Sequence, residues 1–144
     1  MKRLICLAAA TLCLASCFDE QGLIVNPPQQ LVSHQWYTTE TDDDTGEEYI
    51  CLWDFTAEKN AIHFVFFQSL SMMKTIPQYT FSSDNGIPYV CHRKRDTWVL
   101  TVDDGYDTSY YFSDIKGTSA HVSTLDGYEN DLTLCTFKVT PVPY

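Results

Sequence analysis

The sequence predicts an all-β domain, an antiparallel meander of about eight or nine short strands closing into a small barrel. No long stretch of the 144 residues carries helical periodicity, and short aromatic runs alternate with glycine, asparagine and aspartate. Aromatics are 14% of the chain against 19% charged residues, a balance that favours a packed core over disorder. Several runs alternate apolar and polar positions, the pattern of strands wrapped around one core. Joining the first strand of such a meander to the last removes the exposed edges that invite aggregation. A two-sheet β-sandwich is the alternative that the same strand pattern fits. The length suits one domain.

The chain opens with MKRLICLAAATLCLASC. Lys2 and Arg3 precede an apolar stretch from Leu4 to Ala15, which ends on small Ser16 before Cys17. This is the layout of a secretory signal peptide, over residues 1–16, and it is shorter than the ~20 apolar residues of a permanent membrane span. Cys6 and Cys13 lie inside the apolar stretch, where a thiol behaves as a small hydrophobe. Residues 17–30, with Gly22, Asn26, Pro27 and Pro28, read as a partly extended tether.

From Leu31 the β domain, residues 31–144, divides into nine runs. They are Leu31 to Thr39, Glu48 to Thr56, Ala61 to Ser69, Pro77 to Ser82, Ile87 to Arg93, Thr97 to Asp103, Thr108 to Ile115, Thr118 to Leu125 and Asp131 to Val139. Between them sit Thr45-Gly46, Asn60, Asp84-Asn85-Gly86, Asp104-Gly105, Lys116-Gly117 and Asp126-Gly127, residues that accept the positive φ of tight hairpins. In EYICLWDF, Tyr49, Cys51, Trp53 and Phe55 share one face; in TWVLTVD, Trp98, Leu100 and Val102 do. AIHFVFF is apolar on both faces, so that strand is expected to be covered outside as well or to meet a partner.

Two resemblances add to this reading. Leu14-Ala15-Ser16-Cys17 is similar to the lipobox of bacterial lipoproteins, an aliphatic and two small residues before a cysteine. That resemblance implies cleavage before Cys17, diacylglycerol on the Cys17 sulfur and an acylated amine, so Cys17 is the lipid-attachment residue. Two or more acyl chains hold a protein durably, each buried methylene contributing ~0.8 kcal/mol. Asp19 and Glu20 resemble the surface-export signals of lipoproteins from anaerobic gut bacteria, which implies a cell-envelope location at the outer membrane, on its periplasmic or surface face. Further on, LVSHQWY, YICLWDFTAEKN and LTLCTFKV resemble in layout the small lipocalin-like lipoproteins of those bacteria, which implies a lipocalin-like barrel.

Composition narrows the partners. The net charge of −10 becomes more negative once Lys2 and Arg3 leave, so the surface repels phosphate backbones and nucleic acid is not expected. Arg93-Lys94-Arg95, followed by Asp96, reads as a hairpin tip. His34, His63, His92 and His121 fall on four predicted strands without local pair spacing, so no metal site is expected. Cys51, Cys91 and Cys135 share strand faces with Trp53, Tyr89 and Phe137 and read as buried thiols, a disulfide between two of them being the alternative in an exported chain. ETDDDTGEE lacks the spacing of a calcium loop and reads as a hairpin tip.

No nucleophile elbow, phosphate loop or dinucleotide fingerprint is present, so no catalytic residue and no cofactor is nominated and the chain is read as non-enzymatic. The strand aromatics remain. Trp36, Trp53, Trp98, Tyr110 and Phe112 are the candidate ligand contacts, since inward aromatics of a small barrel either fill it or line one cavity. The sequence thus points to a membrane-anchored envelope protein binding a small hydrophobic ligand. The alternative is an interaction or inhibitor lipoprotein that captures an envelope protein.

Overall fold

The computed structural model describes residues 22–82 and 85–144. The signal segment, Cys17, Asp19, Glu20 and Asp84 lie outside the described residues. The chain runs through β1 (Leu23–Ile24), α1 (Gln29–Val32), β2 (Gln35–Thr41), β3 (Glu48–Asp54), β4 (Ala61–Phe67), α2 (Leu70–Thr75) and β5 (Gln78–Phe81). It continues through β6 (Ile87–Lys94), β7 (Thr97–Val102), β8 (Ser109–Ser113), β9 (Ser119–Ser123), β10 (Glu129–Leu134) and β11 (Thr140–Pro143).

Eight of these strands close into an antiparallel barrel of lipocalin-like form, in the order β6, β4, β3, β2, β10, β9, β8, β7 and back to β6. The first barrel strand therefore pairs with the last, Trp36 opposite Leu134, as closure of a meander requires. Tight turns make the neighbours. In the β2–β3 hairpin, the Asp42 carboxylate accepts the backbone N–H of Asp44 and of Thr45, both at 2.9 Å, and Gly46 takes φ 74°. Those two backbone donors hold the Asp42 pKa below its ordinary value.

The closing seam is short. β4 meets β6 only through Ala61 opposite Pro88 and Ile62 opposite Ile87. β1 extends the same edge of β6, Leu23 opposite Arg93 and Ile24 opposite His92, while Val25 N–H donates to Cys91 O at 3.0 Å. The residues from Leu23 onward, expected as a tether, are thus joined to the barrel. Gly22 makes the approach possible: its φ is 85°, and a Cβ there would lie 2.3 Å from Arg93 O.

Alternation sorts the side chains. Trp36, Cys51, Trp53, Leu100, Phe112, Val122 and their neighbours form the interior core. One end of the barrel is plugged by α1, whose Leu31 is fully buried and whose Leu31 carbonyl accepts Trp36 Nε1–H at 2.8 Å. The expected first strand therefore begins four residues late, because Leu31 and Val32 complete a helical turn whose N–H groups bond to Pro28 O.

A second core lies outside the barrel wall. Ile50 and Leu52 pack there with Met73, Tyr79 and Val139, covered by α2 and by a small sheet in which β11 pairs parallel with β5. This layer explains why AIHFVFF is apolar on both faces, Val65 and Phe67 facing out into it. α2 begins at Ser69, whose hydroxyl accepts Met72 N–H at 3.1 Å, and stops where Pro77 forces Ile76 out of helical geometry. Two expectations change here. The run Pro77 to Ser82 is a strand outside the barrel, and the run Asp131 to Val139 leaves the barrel after Leu134, so Cys135 is not on a strand.

The outer layer is fastened by a buried acid. Asp54, fully buried, accepts Gln35 Nε2 and Tyr79 OH, each at 2.8 Å, on one oxygen. Its other oxygen accepts Thr56 N at 2.8 Å and Thr56 Oγ1 at 2.6 Å. A buried carboxylate needs this satisfaction because desolvation costs more than any single bond returns.

Candidate functional site: the open end of the barrel

The end opposite α1 is framed by the β2–β3 hairpin, the 103–108 loop and the 124–128 loop. It opens into a cavity of about 720 Å³, a size suited to a small molecule. Successive inward positions of β3 supply Tyr49, Cys51 and Trp53, and β4 supplies Phe64 and Phe66 opposite Trp53 and Cys51. Tyr110 and Tyr128 complete the aromatic wall. The rim carries Thr41, Asp43, Thr108, Thr124 and Asp126.

Trp53 sits at the centre of the ring cluster. Its indole meets Phe64 at 4.8 Å, Tyr110 at 5.1 Å and Phe112 at 6.1 Å between centroids, all edge-on. Such pairs each contribute about 0.5–1.5 kcal/mol beyond area burial, so the floor of the cavity is rigid. Trp53 is 2% exposed and its Nε1–H has no partner among the described residues. A buried donor left unpaired costs about 1–3 kcal/mol.

Glu40 is the one fixed charge of the wall. Its Oε1 accepts Thr38 Oγ1 at 2.7 Å, Asn130 Nδ2 at 3.3 Å and the Tyr128 hydroxyl. Burial and that bond to Glu40 raise the Tyr128 pKa far above its ordinary value, so the phenol stays a donor. Burial, with the Glu40 charge in addition, pushes the Cys51 thiol up to about 12. Near neutral pH Cys51 is therefore a protonated, apolar lining group rather than a nucleophile.

Of the aromatics singled out in the sequence, the fold brings Trp53 and Tyr110 into the cavity. Phe112 lies fully buried against Trp53, and Trp36 is fully buried beside α1. Trp98 stands away from the cavity, its ring covered by the Arg93 guanidinium at 4.5 Å. Phe64 and Phe66, strand aromatics in the sequence, also reach the cavity, and the structure adds Tyr49, Tyr128 and Glu40; Tyr49 shares the Trp53 face and Glu40 the Trp36 face, each at a spacing of four.

The remaining chemistry-bearing residues are dispersed. His63 bonds Glu58 at 3.2 Å, His121 lies between Asp131 and Glu129 at 2.8 and 2.9 Å, and His34 precedes β2 with Gln30 O at 3.0 Å. Among the described residues no three His, Cys, Asp or Glu side chains come together as a metal-ligand set. Cys51, Cys91 and Cys135 are free thiols. Among the described residues no helix is long and apolar enough to cross a membrane.

Comparison with protein-family models, curated proteins and solved structures yields no match. Fold and cavity therefore carry the functional argument.

Proposed function

We propose that this chain is a lipid-anchored, non-enzymatic binding protein of the bacterial cell envelope that holds a small, largely hydrophobic ligand in the open end of its barrel. The observation that carries the reading is the aromatic cavity of about 720 Å³ beside Glu40, with Trp53 among its lining residues. A second space of about 410 Å³ lies at the α1 end, lined by Asn26, Pro27, Gln29, Val32, Phe55, Lys59, Asn60 and Tyr89, and it lacks the aromatic wall that surrounds the open end. The anchor rests on Leu14-Ala15-Ser16-Cys17, with acyl chains on Cys17, and Asp19 and Glu20 favour the outer membrane.

Native mass spectrometry of the purified chain tests the binding claim. A co-purifying small molecule, lost in Trp53→Ala when the fold is retained, supports it. An empty barrel that instead captures an envelope protein favours the interaction or inhibitor reading, for which exposed Tyr106 and Leu125, on the loops framing the opening, are the natural contacts. Labelled palmitate tests the anchor: incorporation into the chain and its loss in Cys17→Ala are expected, and label retained by the variant refutes it.

A further inference from the structure

We propose that the cavity selects protonated organic amines, molecules with an apolar body and an ammonium group. This rests on the ligand-binding reading above and names the class of ligand. Every charged side chain lining the cavity is acidic: Glu40, Asp43 and Asp126, with no lysine, arginine or histidine among the lining residues. Asp43 and Asp126 are exposed at the rim, but Glu40 is part-buried and held in place. All three of its side-chain hydrogen bonds land on Oε1, which leaves the lone pairs of Oε2 for a donor.

The walls point the same way. Tyr49, Trp53, Phe64, Phe66, Tyr110 and Tyr128 line the space beside Glu40, and an aromatic ring attracts a cation that reaches its face through its quadrupole. A carboxylate ligand would meet three negative side chains and no compensating cation. A neutral apolar ligand would leave the Glu40 charge unmatched while displacing its water. An ammonium group answers both conditions, and the net charge of −10 focuses cations toward the opening.

Three probes of one chain length separate the terms: octylammonium, 1-octanol and octanoate, titrated against the full chain by tryptophan fluorescence. Octylammonium is expected to bind about tenfold more tightly than octanol, and octanoate most weakly. Glu40→Gln keeps an Oε1 acceptor for Thr38, Tyr128 and Asn130 and is expected to cut the ammonium-to-alcohol ratio about fivefold. The unaltered chain gives an independent readout, since raising salt should weaken octylammonium and leave octanol unchanged. If octanol or octanoate binds as tightly as octylammonium, or the preference is indifferent to both salt and Glu40→Gln, amine selectivity is overturned while ligand binding stands. If none of the three binds, both fall together.

Discussion

Gln35 and Val139, 104 positions apart, pair as though the side chain were a piece of strand: Gln35 Nε2 donates to Val139 O at 2.6 Å, and Val139 N–H donates to Gln35 Oε1 at 2.9 Å. The same amide nitrogen also donates to Asp54. One glutamine thereby satisfies the backbone of the segment that leads into β11 and fastens it to the barrel wall.

Replacing Gln35 with Met keeps the volume and removes all three bonds. A loss of about 2–3 kcal/mol is expected in denaturant unfolding, because both a buried carboxylate and a buried backbone pair lose partners. Amide exchange should accelerate at Val139, Thr140 and Val142 before it does in β7 or β8.

Tyr79→Phe isolates a single bond of the same cluster, the hydroxyl on Asp54 at 2.8 Å. Hydrogen bonds to charged groups are worth about 1.5–3 kcal/mol, and that much stability should be lost with the barrel intact by circular dichroism. A change within a few tenths would show that Asp54 does not depend on this donor.

His121 supplies a pH dependence. The hydrogen bond to Asp131, against an opposing burial effect and with help from the Glu129 charge, raises its pKa above the ordinary 6.5. Since the raised pKa belongs to the folded state, the stabilisation is complete below pH 6.5 and fades as pH climbs through the folded value. Proton NMR titration of the His121 ring should show the elevated midpoint, and Asp131→Asn should bring it down.

Gly22→Ala tests the mooring of β1. Positive φ and a Cβ 2.3 Å from the Arg93 carbonyl make the substitution strained, so β1 should detach. Faster exchange at Val25 is expected, with the β2–β3 hairpin unaffected.

Cys51, whose pKa is pushed up to about 12 by burial, should resist iodoacetamide at pH 8 in the folded chain and react once unfolded. Rapid labelling of the native chain would mean that the cavity floor opens.

The barrel was legible because side-chain alternation and turn chemistry are local. Tyr49, Cys51, Trp53 and Phe55 announce their common face within eight residues, and Asn60 and Gly46 mark the hairpins. The outer sheet was not, since β11 contains Pro141 and Pro143, which argue against a strand, and it exists only through β5 some sixty positions earlier. In LTLCTFKV the apolar positions shift from Leu132 and Leu134 to Cys135, Phe137 and Val139, and that change of phase marks the passage from the barrel interior to the outer core, although the run reads as one strand when its length alone is considered. Glu40 was hidden for a related reason. In ETDDDTGEE it looks like one acid among several, and only the register opposite Tyr49, with Asn130 reaching across from β10, separates it from the solvated tip.

The path of β1 fixes the end of the barrel from which the described chain leaves toward its N-terminus. The chain joins the barrel at Gly22 and Leu23, beside Arg93, at the plugged end. With acyl chains on Cys17, the few intervening residues span at most about 20 Å fully extended. The domain would then rest close above the lipid headgroups with its aromatic mouth turned to the aqueous side, so its cargo would arrive by diffusion through water rather than by lateral transfer from the bilayer.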